Sequence, residues 1–320
     1  DSAIETNKNY IQITRPNDEL SYTNSLSTSI TLEGFNLNKI DDYMQLNTNF
    51  YQINQKNEDS KKIPVILPSL KYYTGNNKYS DFDNNGIIES YNIFRETNTD
   101  TLSKKQQKIS YTHRISKDFI QYKSKIILES EIYNQIYNTE KKLIHGNQYH
   151  TGSYYRFFPI FGISMETPFK FKNNLYNFTY KPKTQIILAS GSSNSNKISN
   201  EDSSINNFSI SNLPSLNRYS GSDKLDNSKR INYGFNIYNE KFLLNLSQVY
   251  EFTNNSNFHI EQGNKEKLSD LLGSVEYNEI DKNENFQYNY FEKISYNFRY
   301  DVNKEYLKEQ NFKVKYPTFI

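Results

Sequence analysis

An all-β protein, with antiparallel strands arranged as a transmembrane barrel, is the fold class this sequence predicts. Three observations carry the expectation. Apolar residues recur at period 2 rather than 3.6, several alternating runs reach ten residues or more, and Tyr and Phe are abundant in an otherwise hydrophilic chain. The 320 residues include 28 Tyr and 21 Phe at a mean hydropathy of −0.86. A disordered chain of that polarity would be poor in aromatics.

Successive side chains of a strand point to opposite faces, so the alternation can be followed along the chain. Met44, Leu46, Thr48 and Phe50 oppose Gln45, Asn47 and Asn49. Over residues 120–132, Ile120, Tyr122, Ile126, Leu128 and Ile132 share one phase against Gln121, Lys123, Lys125, Glu129 and Glu131, which predicts one long strand. Tyr176, Phe178, Tyr180, Ile186 and Leu188 form the next apolar phase, followed by Ile231, Tyr233, Phe235 and Ile237, and by Phe242, Leu244 and Leu246. Near the end come Phe286, Tyr288 and Tyr290, then Ile294, Tyr296, Phe298 and Tyr300, then Phe312, Val314 and Tyr316. Turn-rich stretches at residues 74–86, 145–152, 190–204 and 254–267 separate these runs. Allowing ~9–11 residues per crossing plus a turn gives about 14 to 16 strands.

Such strands fit a soluble sandwich, with the apolar face turned into a core, or a membrane barrel, with that face turned to lipid. Strand length, and Lys and Glu in the middle of the polar faces, favour the barrel, and aromatic girdles fit it too. The sandwich remains the alternative. A β-solenoid is a more distant one because no fixed repeat period is visible.

Composition excludes several functions. There is no Cys, hence no disulfide framework and no thiolate site, and a net charge of +2 gives no reason to expect a polyanion partner. No run approaches the ~18 apolar residues of a membrane-spanning helix. Asp1 does not open a signal peptide. Asp81, Asp83, Asn85 and Gly86 imitate the start of a calcium loop, but Asn92 stands where the bidentate Glu belongs, so a polar hairpin is the better reading. Of His113, His145, His150 and His259, only His145 and His150 lie close together, without a third ligand at metal spacing. No nucleophile elbow or phosphate loop occurs, so no enzyme and no cofactor is expected. Pro64, Pro68 and Pro159 sit in apolar runs, where a missing N–H marks a strand end, a bulge or a weakened pairing.

One stretch is more specific. Asn217, Arg218, Tyr219, Gly221, Asp223, Lys224 and Asp226, followed by Tyr233 and Gly234, resemble the signature of the lipopolysaccharide-assembly family LptD (OstA), with Lys224 where the family usually has Arg. Colinear stretches at residues 63–73, 156–169, 182–187, 200–204 and 246–252 resemble the same family.

The resemblance implies a Gram-negative outer-membrane barrel that carries lipopolysaccharide to the cell surface without covalent chemistry and releases it through a lateral opening. It also implies an LptE-like lipoprotein plug and a periplasmic Lpt bridge as partners. Against that family, residues 1–320 are expected to be one incomplete barrel domain without the N-terminal periplasmic jelly-roll. The signature is expected to be an ordered loop, in which Gly221 permits positive φ while Asp223 and Asp226 accept hydrogen bonds. A diffusion porin or receptor barrel is the alternative function, and a secreted β-sandwich binding module the second.

Overall fold

The computed structural model describes residues 25–53, 60–173, 177–191, 194–205, 208–253, 267–278 and 292–316. Among them lie fifteen strands: β1 (Ser25–Phe35), β2 (Tyr43–Ile53), β3 (Val65–Tyr73), β4 (Asn77–Tyr79), β5 (Phe82–Phe94), β6 (Lys105–Gln121), β7 (Ser124–His145), β8 (Gln148–Glu166), β9 (Phe169–Lys172), β10 (Asn177–Ala189), β11 (Lys229–Tyr238), β12 (Phe242–Glu251), β13 (Leu271–Asn278), β14 (Lys293–Asp301) and β15 (Tyr306–Lys315). Each pairs antiparallel with its neighbour in one meandering sheet, β4 and β9 being short additions against β5 and β10. Among the described residues the sheet does not close, since β1 and β15 are each paired on one side only.

Polarity across this sheet is inverted relative to a soluble protein. Leu128, Ile163, Ile186, Ile231 and Tyr250 form one cross-strand row from β7 to β12, and Ile109, Ile136 and Tyr155 another from β6 to β8. The outer face that these rows occupy is apolar yet exposed: Ile109 is 64% accessible, Tyr155 61% and Phe157 51%. The inner face instead buries Gln106, Lys108, Ser110, Gln135, Arg156, Gln185, Arg230 and Asn232. A sandwich would place the two faces the other way round, so the sandwich alternative fails and the barrel-like expectation holds.

One predicted strand is corrected. Residues 120–132 are not continuous, because Tyr122 and Lys123 form a two-residue hairpin turn with φ of 50° and 65° between β6 and β7. Both central residues are left-handed, the conformation that matches strand twist in a tight hairpin. The turn pairs Phe119 with Ile126 and Ile120 with Lys125, so the apolar phase changes face on passing through it. Neither turn residue is the Gly, Asn or Asp that announces such a turn, and both large side chains tolerate it at the exposed tip. Ser80 and Asp81 make the same two-residue turn between β4 and β5, which turns the calcium-like stretch into a hairpin. Tyr176, Phe286, Tyr288, Tyr290 and His259 lie outside the described residues.

Prolines coincide with interruptions in the ladders. Pro64 immediately precedes β3. Pro68 falls where β3 carries one extra residue against both β2 and β5, a bulge shared by two ladders. Pro159 pairs with Ile132 on one side, while on the other the β8–β10 ladder begins one residue later, at Ile160 and Ala189. Pro182 occupies the gap where β10 passes from β9 to β8.

A lysine scan tests the orientation of the sheet. Replacing Tyr155, Phe157, Phe161, Ile163 and Met165 singly by Lys is expected to cost ~2–4 kcal/mol at the bilayer midplane, falling toward zero at the ends. Urea titration of the protein folded in vesicles measures it. A flat profile near zero along the series would place this face in water.

Candidate functional site

Of the long connection between β10 and β11, the described residues 190–191, 194–205 and 208–228 lie on the inner face rather than in solvent. Its contacts reach β5, β6, β7 and β8 on one side and β12 and β13 on the other. The predicted signature residues belong to it or follow it directly.

Two of its stretches run side by side. Ser220 N–H donates to the Ser204 carbonyl at 2.9 Å, and Ile205 bridges Tyr219. Asp202 and Asp223 then cap each other's backbone. Asp202 Oδ1 accepts the N–H groups of Ser222 and Asp223 at 3.1 and 2.8 Å, while Asp223 Oδ2 accepts those of Glu201 and Asp202 at 2.8 and 3.2 Å. Gly221 allows this close approach, for a Cβ there would collide with the Asp202 carbonyl. The expected reason for that glycine is therefore corrected: it is wanted for space, and it does not appear among the glycines with positive φ. Asn217 staples the loop, with Oδ1 accepting from Tyr219 N and Asp226 N, and Nδ2 donating to the Gly221 carbonyl.

Two charge clusters lock the connection to the sheet. In the first, Lys108 Nζ of β6 lies 3.0 Å from Asp223 Oδ1 and 2.7 Å from Asp202 Oδ2, and donates to Ser222 Oγ at 2.6 Å. Tyr91 and Tyr137 donate their hydroxyls to Asp223 at 2.9 and 3.2 Å. Arg156 of β8, 1% exposed, meets mostly neutral acceptors: the Ser222 and Asp223 carbonyls at 2.6 and 2.9 Å and Gln135 Oε1 at 2.7 Å. Nearby, Arg95 grips Glu201 through both terminal nitrogens.

In the second cluster Asp226, wholly buried, sits between two guanidiniums. Arg218 reaches it and also Glu251 at 2.9 Å, and Arg230 Nη1 reaches it at 2.8 Å. Arg230 also donates to the Ser215 and Leu216 carbonyls at 2.6 and 3.2 Å. Burial by itself would raise the Asp226 carboxyl, but Arg218 and Arg230 outweigh it and hold it below the ordinary carboxylate value. Burial dominates at Asp223, whose carboxyl is raised despite Lys108.

Apolar contacts complete the fit. Leu216 and Leu225 pack with Tyr133, Phe158, Ile160 and Ile187, and Phe208 and Leu213 pack with Val249 and Leu272. The remaining sequence candidates lie apart from these. Lys224 gives its backbone N–H to Ser203 Oγ. Tyr233 lies on the outer face, its hydroxyl bonded to Gln248, and Gly234 is on the inner face of β11 opposite Lys183. His145 and His150 belong to the β7–β8 hairpin, and among the described residues no group of acidic or histidine side chains could hold a metal ion.

Sequence reading missed Lys108, Tyr91 and Tyr137 as members of this site. Residues 106–112 carry Gln106, Lys108, Ser110 and Thr112 at period 2, the one signal that could have revealed a polar inner phase.

The family model described as LPS transport system D, LptD, matches residues 7–319. The chain belongs to the LptD family. No curated protein matches the chain. Membership gives it a role in lipopolysaccharide transport and assembly, in a family of transport proteins rather than enzymes. The signature residues 217–226 thus fall in a connection of this LptD chain that packs on the inner face of β5–β8 and β11–β13.

Asp226→Asn leaves two buried guanidiniums to share Glu251, and an expected ~3–5 kcal/mol is lost, as for other broken buried pairs. Lys224→Ala should stay within about 0.5 kcal/mol. Limited proteolysis within residues 190–228 measures both. The pH dependence follows from the sign of the shift. Because Asp226 is lowered in the folded state, its contribution is present above about pH 4, the ordinary carboxylate value, and is lost as pH falls through the lowered one. Protease sensitivity of the connection is expected to rise only in that acid range, and this rise should be absent in Asp226→Asn.

Proposed function

We propose that this chain is part of an outer-membrane barrel through which lipopolysaccharide reaches the outer leaflet of a Gram-negative bacterium, without covalent chemistry. The observation that carries the reading is the inverted sheet: an apolar outer face suited to lipid and an inner face lined with charges, amides and hydroxyls suited to sugar. An amphiphile with several acyl chains needs both environments, and a seam that opens sideways would let the chains enter lipid while the sugars keep a polar route. The free edges of β1 and β15 need strand partners, because unpaired backbone is intolerable in hydrocarbon. The described strands accordingly belong to one barrel domain whose closure needs further strand pairing at β1 and β15. An LptE-like lipoprotein and a periplasmic Lpt bridge are the partners this reading calls for. The signature at residues 217–226 serves it as a structural clasp rather than a substrate contact. A diffusion porin is disfavoured by the inner face being occupied by residues 190–228.

Depletion of the full-length gene product tests the reading. Surface lipopolysaccharide should fall as the protein is lost while the lipid accumulates inside the cell. Unchanged surface lipopolysaccharide would refute transport and return the porin alternative.

A further inference from the structure

One charged side chain interrupts the apolar outer face. Along β6 that face runs from Ile109 to Phe119, and along the register-matched β8 from Tyr155 to Met165. At ~3.4 Å per residue and a tilt of about 40°, such a stretch rises about 25 Å, the height of the apolar band of a membrane barrel. Among the described residues, these outer positions and their partners on β5 and β7 include a single Lys, Arg, Asp or Glu, which is Lys117. A charge inside the band is costly, so its place there calls for a reason.

Lys117 stands one outer position in from Phe119, and its ammonium turns to the rim. Nζ lies 5.0 Å from the centre of the Phe82 ring and 3.8 Å from Asp81 Oδ2 in the β4–β5 turn. A lysine near the end of the band reaches headgroup level in this way. At 3.8 Å the pair is looser than a hydrogen bond, and the Asp81 side chain is 89% exposed, so a cation and an anion are presented side by side at the rim. Next to them the apolar face is hollowed. Ser130, the short member of the cross-strand row Ile115, Ser130, Phe161 and Leu188, leaves a groove of about 350 Å³, walled by Phe82 and Ile163. Phe82 joins the two features, since its ring lines the groove and lies under the Lys117 ammonium.

An apolar groove that ends at a paired cation and anion fits an amphiphile with an acyl chain and a zwitterionic head. We propose that this site holds a glycerophospholipid with an ethanolamine headgroup, its phosphate on Lys117, its ammonium on Asp81 and one acyl chain in the groove. A headgroup with a phosphate alone meets like charge at Asp81, and a choline headgroup has no N–H to donate to that carboxylate. The turns at Ser80–Asp81, Tyr122–Lys123 and residues 239–241 share this end of the sheet, and the connections 95–104 and 190–228 lie at the other. Short turns face the periplasm in such barrels, which places the site in the phospholipid leaflet. The proposal rests on the outer-membrane barrel reading above and is independent of what the barrel carries.

The test places a benzophenone amino acid at Phe161 of the full-length protein, reconstituted in vesicles of equal parts phosphatidylcholine and phosphatidylethanolamine. After irradiation, mass spectrometry counts the lipid adducts. Ethanolamine lipid should exceed choline lipid about five-fold, the weight of a favourable exposed ion pair. The same probe at Phe157, outside the groove, should mirror the vesicle composition. Lys117→Gln and Asp81→Asn should each bring the Phe161 ratio close to unity, and Lys117→Arg should retain it. Heat-modifiable migration verifies that each variant barrel is folded. A ratio of one at Phe161 in the unsubstituted protein overturns the proposal, and so does a preference that survives Lys117→Gln. With phosphatidylglycerol in place of phosphatidylethanolamine, an equal enrichment over choline lipid marks a plain anion site and overturns the ethanolamine assignment. Adducts of the same composition at Phe161 and Phe157 overturn the site and leave the barrel reading intact. Absence of lipid adducts at both positions of the folded protein overturns both.

Discussion

Lys108, Arg156 and Arg230 direct three full charges from β6, β8 and β11 onto one face of a sheet whose other face is apolar. A cation buried without a counter-charge or a full set of acceptors is among the costliest things a fold can contain. The sheet does not meet this demand by itself. Asp202, Asp223 and Asp226, together with the carbonyls of Ser215, Ser222 and Asp223, all come from the connection between β10 and β11. Sheet and connection are therefore each incomplete alone, and the inner surface exists as a surface only when the two are together.

This dependence explains how a long, polar connection is held against the sheet. Its charged ends are clamped, through Asp202 and Asp223 to β5–β8 and through Arg218 and Asp226 to β11–β12. Its middle is held by backbone carbonyls and a small apolar cluster around Phe208 and Leu213. The wall it rests on is laid out by strand register, and the prolines fall where ladders bulge, begin or change partner, so the pairing is interrupted at fixed places.

Period 2 alternation and aromatic wealth made the fold class legible, since an inverted sheet alternates like any other and its length and mid-strand charges separate it from a sandwich. The turn at Tyr122 and Lys123 was hidden because neither residue belongs to the usual turn set and the alternation continues unbroken through it. The clasp was visible as a signature, but the role of Gly221 was misread: the close approach of Asp202, about twenty residues earlier, is a tertiary fact. Lys108 was overlooked for a similar reason. A lysine in the polar phase of a strand reads as solvated, and its partner Asp223 is over a hundred residues away in sequence.

The central claim is that residues 190–228 fill the inner face of a membrane barrel. Ion conductance of the full-length protein in planar bilayers tests it most directly, comparing the intact chain with one in which residues 192–226 are replaced by a short Gly-Ser turn. The account calls for a low conductance in the intact protein and a large, stable increase in the replaced one, in channels that still show heat-modifiable migration. Equal conductance in the two folded proteins would contradict it.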